Sequence, residues 1–471
     1  MVMSKSDAAT LLGTYLPSWA ANHDYVSRID RWYRGELTAS EKPSLPSDKK
    51  PTAEYRELRE RAMTRWLKYV VRSLAQGLYV EGYRRSDQTQ SENQKPWQVW
   101  QANGLDARQI PIHRNAMAHA LSYVVVLPGE GQSGSPLPVV RGYSARKMMA
   151  FYQDVATDEW PMFALRGDQI TAEDGSRAWR FRLYDEEAIY LFDGTDKSGG
   201  GLTYIETKEH GVGVCPVVRY VNEIDLEGRA DGEVEPNIDL AARIDQDTFD
   251  RLIVQRFGAW AVRWIAGLEM PAVDADRRAE KLRAGIEDVL ISESPDTKFG
   301  ALPTTPLSGF IEARDSDIRD LAVVTQTPPQ DLLGQMVNLS AEALAAAEAG
   351  RTRKWEERKH TFGEAHEQML RLAGHVMGDE QSANDFSAQV VWRDMESRSL
   401  AQVADAFGKL VQMLGVPPEV LWEKLPGWTQ QDVERAKALV AQHGGIDALI
   451  QHLEAASAPP GPPAPAPAAA G

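Results

Sequence analysis

Apolar residues return every four positions between residues 52 and 78. Leu58, Ala62, Trp66, Val70 and Leu74 form the series, with Met63, Leu67 and Val71 beside it. That spacing gathers them on one stripe of a helix and leaves the Arg and Lys residues between them as its wet face. Residues 25–40 predict a shorter amphipathic helix closed by Gly35. Between 105 and 225 the period changes. A helix through HRNAMAHALS leads into YVVVLPG, and PVVRGY, MMAFYQD, PMFALRG, AWRFRLYDEEAIYLFDG and LTYIETKEHG read as strands divided by turn residues. LYVEGYRR, ahead of them, is a further strand candidate, and the region is an α+β domain.

Helical spacing resumes at Asn237 and predicts one long helix over residues 237–268. Phe249, Leu252, Ile253, Phe257, Trp260, Ala261, Trp264 and Ile265 make its apolar stripe, Asn237 can cap it, and Gly267 and Pro271 end it. It would be roughly 48 Å long. Residues 269–307 interrupt the pattern with a short charged helix, DADRRAEKLRAGIEDV, then a strand and a loop. A second helix is expected from Ser308 through PPQDLLG, so the chain goes out along one helix and returns along another. After an uncharged apolar break at 334–339, Ser340 caps a third long helix. In it Trp355, Phe362, Met369 and Val376 recur at intervals of seven as a packing seam, with Gly350 and Gly363 as bend points. FSAQVVW (386–392) reads as a strand. Four helical segments follow, one with Thr429 and Asp432 as a capping pair, and then a proline-rich tail expected to be extended and disordered.

At 471 residues the chain suggests two or three domains. The net charge of −16 argues against a protein that grips nucleic acid over its whole surface, because phosphate binding is driven by Lys and Arg. A single cysteine, Cys215, sits in the apolar VGVCPVV and excludes an intrachain disulfide; a buried inert thiol is the better reading than a nucleophile. No apolar run approaches a membrane span, and MVMSKSDAATLLGTYLPSWA makes a poor signal peptide, so synthesis inside the cell is expected.

Catalytic signatures do not hold. The chain has no G-x-x-x-x-G-K-[ST], H-E-x-x-H or G-x-S-x-G pattern, and HGVGVC lacks the third glycine of a dinucleotide fingerprint. His360 and His366 lie six apart and do not share a helical face as zinc ligands would. No cofactor, metal site or enzymatic activity is expected. The acidic DLEGRADGEVE (225–235) reads as a solvated turn and RTRKWEERKH (351–360) as a salt-bridged helix surface. DRRAEKLR (276–283), at the tip of the out-and-back excursion, suits partner contact and a plain solvated face about equally.

The order RIDRWYRGEL, RWLKYVVRSLAQGLYVEGYR, GVCPVVRYVNEIDLEGRADGEVEPNIDLAARIDQDTFDRLIVQRFGAWAVRWIAGLE, LSGFIEARDSDIRDLAVVTQTPPQDLLG and NLSAEALAAAEAG resembles the portal proteins of tailed bacteriophages, in particular long-tailed phages of actinobacteria. The resemblance implies an α+β portal fold with a mixed α/β wing, a two-helix stem, a small α/β clip, a long wing helix and a helical crown. On this chain those parts fall at 1–24 (arm), 25–236 (wing), 237–268 and 308–334 (stem helices), 269–307 (clip), 335–340 (tunnel loop), 341–395 (long wing helix and strand), 396–455 (crown) and 456–471 (tail). It further implies a dodecameric ring at one capsid vertex, assembled in the host cytoplasm, that carries double-stranded DNA in and out and joins head to tail. Its implied partners are terminase, a head–tail adaptor, and the capsid and scaffold proteins; no membrane is involved.

Three site expectations follow. Gln335, Met336, Val337, Asn338, Leu339 and Ser340 line the DNA channel, where bulk without fixed positive charge avoids trapping phosphate; the plain alternative is a helix–helix connection. Arg277, Arg278, Lys281, Arg283 and Lys298 form the partner-binding clip. Phe249, Ile253, Phe257, Trp260 and Trp264 meet a neighbouring subunit, unless an intramolecular bundle covers them. The competing class is a non-ring helical scaffold or head–tail adaptor.

Overall fold

The computed structural model describes residues 2–45, 52–84, 95–131, 134–172, 175–258, 263–266, 298–301, 306–334, 341–393, 400–422, 425, 428 and 430–442. The chain divides into two units. One comprises Met1–Gln76, Ile110–Pro128 and Val139–Ala365; the other comprises Gly77–Gln109, Gly129–Pro138 and His366–Gly471.

The first unit opens with a helix of 30 residues, Lys5–Arg34. The Ser4 hydroxyl accepts from the Asp7 backbone N–H at its start, and Gly35, at φ 72°, closes it. This corrects the short helix expected over 25–40, and a boundary drawn at residue 24 cuts through a continuous element. Pro17 masked the upstream half by breaking the helical signal. Burial outweighs that cost: Ala8, Leu12, Leu16, Trp19 and Ala20 pack on Phe163, Leu165, Phe181, Leu183, Tyr190 and Phe192.

In chain order, strand β1 (Val80–Arg84) lies in the second unit, and the first unit holds β2 (Leu121–Leu127), β3 (Val139–Ser144), β4 (Met148–Phe151), β5 (Phe163–Thr171), β6 (Arg177–Tyr184), β7 (Ala188–Gly194), β8 (Thr203–Glu209) and β9 (Val217–Val221). Strands β4 to β8 form one antiparallel sheet in sequence order, and β3-β2-β9 form another. The stretch AWRFRLYDEEAIYLFDG is therefore two strands. Asp185 makes the turn, accepting from the backbone N–H groups of Glu187 and Ala188 at 2.8 and 2.7 Å. Tyr123, Val125 and Val217 of the smaller sheet pack with Cys215 against Ala164, Tyr184, Ile189 and Leu191 of the larger. Burial pushes the Cys215 thiol well up, as an inert core residue requires. Where the sheet meets the N-terminal helix the fit is tight: a Cβ on Gly167 would stand 2.4 Å from the Trp19 ring.

The helix expected across 52–78 is two, Ala53–Ala62 and Trp66–Ala75, because Met63 is extended and Thr64 turns to bond elsewhere. The stretch 225–235 holds strand β11 (Ala230–Asp231), which pairs antiparallel with β10 (Glu223–Ile224) just ahead of it. Asn237 is no cap; it is buried in a one-turn helix, Glu235–Asn237, with its amide donating to the Glu233 carbonyl. The outgoing helix is Ile238–Gly258, shorter than predicted. Strand β12 (Arg263–Ala266) follows and pairs antiparallel with β13 (Lys298–Ala301). The run through Trp264 kept helical spacing in sequence, yet it holds aromatic and β-branched residues with a cross-strand partner, and pairing wins.

The returning helix, Ser308–Thr325, stops at Gln326 (φ 54°), and a separate short helix, Pro329–Leu333, takes up the rest. Pro328 and Pro329 explain the break. The long helix Ala341–Val376 is continuous through Gly350 and Gly363, and the division between units falls after Ala365.

In the second unit β1 pairs antiparallel with β14 (Gln389–Trp392). On the other edge of β1 the Gln109 side-chain amide accepts from the Val80 N–H at 2.8 Å and donates to its carbonyl at 3.0 Å. Glu367 accepts from the Val390 N–H, and His366 packs between the rings of Trp100 and Trp392. Helices Leu400–Leu414, Pro418–Trp422 and Gln430–Gln442 follow. Thr429, the fourth helical segment (GIDALIQHLEAA) and the proline-rich tail lie outside the described residues.

Candidate functional site

The outgoing and returning helices pack together, and charge fixes their register. Arg243 makes a two-pronged pair with Asp317, both contacts at 2.8 Å, and its Nη2 lies 3.7 Å from Asp320. Burial and the nearby Asp317 and Asp250 push the Asp247 carboxyl up. Between Arg243 and Asp247 in sequence, Asp245 is buried and accepts from both the backbone N–H and the hydroxyl of Thr64, at 2.9 and 2.7 Å. Loss of water raises its pKa to about 6, the two hydrogen bonds opposing part of that rise.

At the foot of this pair lies a buried ionic cluster. The Arg358 side chain, 2% exposed, donates from Nε to the Asn222 amide oxygen at 2.9 Å, from Nη1 to Glu357 at 2.8 Å, and from Nη2 to Glu223 at 3.1 Å, with Glu233 at 3.5 Å. Lys354, one turn earlier on the same helix, reaches the other oxygen of Glu233 at 2.5 Å and the Thr325 carbonyl at 3.4 Å. Glu233 precedes the outgoing helix and Thr325 ends the returning one, so two cations of the long helix hold the roots of both. A buried arrangement of this kind adds little net stability but fixes geometry, since removing one partner strands a charge.

A second set of contacts flanks the segment between Gly334 and Ala341. Gly334 adopts φ 66°. Arg351 binds Asp331 at 2.6 Å and Glu348 at 3.1 Å, and its guanidinium lies 5.2 Å from the centre of the Trp355 ring. The Trp355 indole N–H donates to the Leu74 carbonyl at 2.8 Å. The short helix Pro329–Leu333 and the long helix Ala341–Val376 are thereby joined to each other, and the long helix to the end of Trp66–Ala75. Val323 and Val324, at the end of the returning helix, stand 73% and 61% exposed.

The sequence-predicted sites fare unevenly. Phe249 is fully buried within the chain, packed with Leu58 and Ala62, and Leu252 and Ile253 cover it further. This removes Phe249 from the expected subunit contact: the helix Ala53–Ala62, missed as a partner, covers that part of the stripe. Trp264 lies in β12 rather than in the helix, and Phe257 stays on the helix's last turn. Lys298 is exposed on β13. Trp260, Arg277, Arg278, Lys281, Arg283 and the whole of 335–340 lie outside the described residues.

Sequence reasoning missed the Arg358 cluster. RTRKWEERKH was read as a wet helix surface because its charges alternate, whereas Arg358 and Lys354 point inward to residues more than a hundred positions away. Among the described residues, no group of His, Cys, Asp and Glu is arranged to hold a metal ion, and no helix is long and apolar enough to cross a membrane.

The model of the family described as "Phage portal protein, SPP1 Gp6-like" matches residues 12–442. The portal protein of Mycobacterium phage D29 is 29% identical over 358 residues, which cover 72% of this chain and 70% of that protein. The portal protein of Mycobacterium phage L5 is 28% identical over 359 residues, with the same shares.

Proposed function

We propose that this chain, which belongs to the SPP1 Gp6-like family of phage portal proteins, forms the ring through which double-stranded DNA passes at one vertex of the capsid. Its role in the bacteriophage is structural. The observation that carries the finer reading is the pair of helices that leaves and returns to one ionic foot, followed in the sequence by the uncharged residues 335–340. In a dodecamer, twelve such pairs would make a stem around a channel. The segment 335–340 would then project towards DNA, and its lack of Lys and Arg would let phosphates slide past without releasing bound counterions.

In this reading residues 269–307 meet terminase during packaging and a head–tail adaptor afterwards. The sheets of the first unit face capsid and scaffold. The exposed Val323 and Val324 and the half-buried Ile253 replace Phe249 as apolar contacts for a neighbouring subunit. No catalytic step is assigned to the chain; the motor belongs to a partner.

The test is the mass of the protein co-expressed with its capsid and scaffold partners, followed by electron microscopy of the same sample. A twelve-fold ring with a channel wide enough for duplex DNA is the expected result. A stable oligomer without a closed channel would replace this reading with that of a head–tail adaptor.

A further inference from the structure

The five-stranded sheet has two unlike faces. One packs on the N-terminal helix. On the other, Ala164, Tyr184, Ile189 and Leu191 are covered by the smaller sheet, and beyond that cover the cross-strand neighbours are charged. Arg166 stands opposite Arg182, Asp168 opposite Arg180, and Arg180 opposite Asp193. Most of these charges pair one to one: Arg180 grips Asp193 with two contacts of 2.8 Å, and Lys208 meets Glu206 at 2.8 Å.

Asp168 is different. It receives Arg166 at 2.6 Å, Arg182 at 2.8 Å and Lys147 at 3.1 Å. Three cations against one carboxylate leave two positive charges over, on a chain whose net charge is −16. Like charges directly opposite on a sheet oppose folding, so burial of apolar surface does not account for this group. Arg166 is also held in place: its Nη1 donates to the Tyr143 hydroxyl at 2.6 Å, its guanidinium lies 4.0 Å from the centre of that ring, and its Nε has no hydrogen-bond partner among the described residues. Lys147 is exposed, and Arg182 and Arg166 are partly so.

We propose that this charged half-face, centred on Lys147, Arg166 and Arg182, docks an acidic segment of another protein. Charge complementarity selects the occupant. Preset guanidinium forks match carboxylates in geometry as well as sign. Two surplus charges suit a short run of carboxylates and are too few to follow the phosphate backbone of a nucleic acid. The proposal stands apart from the ring reading, because the patch lies within one subunit and is tested on the full chain in whatever assembly it forms.

The experiment measures binding of a fluorescent oligoglutamate peptide by anisotropy at low salt. It compares the parent protein, the double variant Lys147→Gln/Arg182→Gln, and Arg243→Gln as a charge removed elsewhere. Thermal melts confirm that each variant is folded. Loss of about tenfold or more in affinity for the double variant alone is the expected result, equivalent to about 1.4 kcal/mol. Equal binding by parent and double variant overturns the proposal. So does tighter binding of a DNA duplex than of the peptide through the same residues, or a drop in oligomer mass in the double variant, which would assign the patch to a second copy of this chain.

Discussion

The N-terminal helix on its sheet and the foot of the helical pair are held by opposite means. The first is an apolar contact in which Trp19, Phe181, Leu183 and Tyr190 are fully buried and a glycine is needed for the rings to fit. The second is ionic and equally dry, with Arg358 and Glu233 almost wholly removed from water. Apolar burial is strong but non-directional, whereas the ionic cluster contributes little net stability and tolerates one arrangement. The difference separates what keeps the unit folded from what aims the helical pair.

The sharpest way to break that contrast is Trp19→Ala. Losing a fully buried indole from the helix–sheet core should cost about 3–5 kcal/mol, read as a lowered denaturation midpoint; a loss below about 1 kcal/mol would mean the contact is peripheral. Arg358→Met should cost about 3 kcal/mol, because buried Glu233 would lose one of its two cations and keep Lys354 and the Asn222 amide. Adding Glu233→Gln should bring the combined loss below the sum of the two single losses, because both variants break the same ion pair.

Asp245→Asn should move the other way. The parent carboxyl has its pKa raised to about 6 in the fold, so the folded state binds the extra proton and the parent loses stability as pH rises from about 4 to 6. A neutral Asn can still accept from Thr64. The variant should match the parent at pH 4 and exceed it by about 2 kcal/mol above pH 6.5 in melts across pH, after allowing for an added buried amide donor. Smallest of all, Arg243→Gln removes a half-exposed pair and should cost less than about 1 kcal/mol, shrinking further in high salt.

Local patterning carried much of the first unit. Apolar patterning and turn residues announced the strand region from β2 to β8, although β6 and β7 were read as one stretch and β2 and β7 are buried on both faces. It failed where tertiary contact overrules spacing. Ala62 and Trp66 keep a helical interval across a break that exists only because Thr64 bonds Asp245, far away in the chain. The run through Trp264 likewise looked helical until a strand partner at Lys298–Ala301 claimed it. Pro328 gave a fair warning of the break after Thr325. Nothing local announced Arg358, whose partner Glu233 comes from the stretch 225–235 that read as plain solvated turn and whose partners Asn222 and Glu223 lie just ahead of it.

The amide of Gln109 closes the free margin of β1 as a neighbouring strand would, meeting both the N–H and the carbonyl of Val80. A two-stranded ribbon ordinarily offers such groups to any extended chain that drifts past. With the Gln109 amide occupying both groups of Val80, an extended segment arriving at that residue finds neither a donor nor an acceptor to pair with.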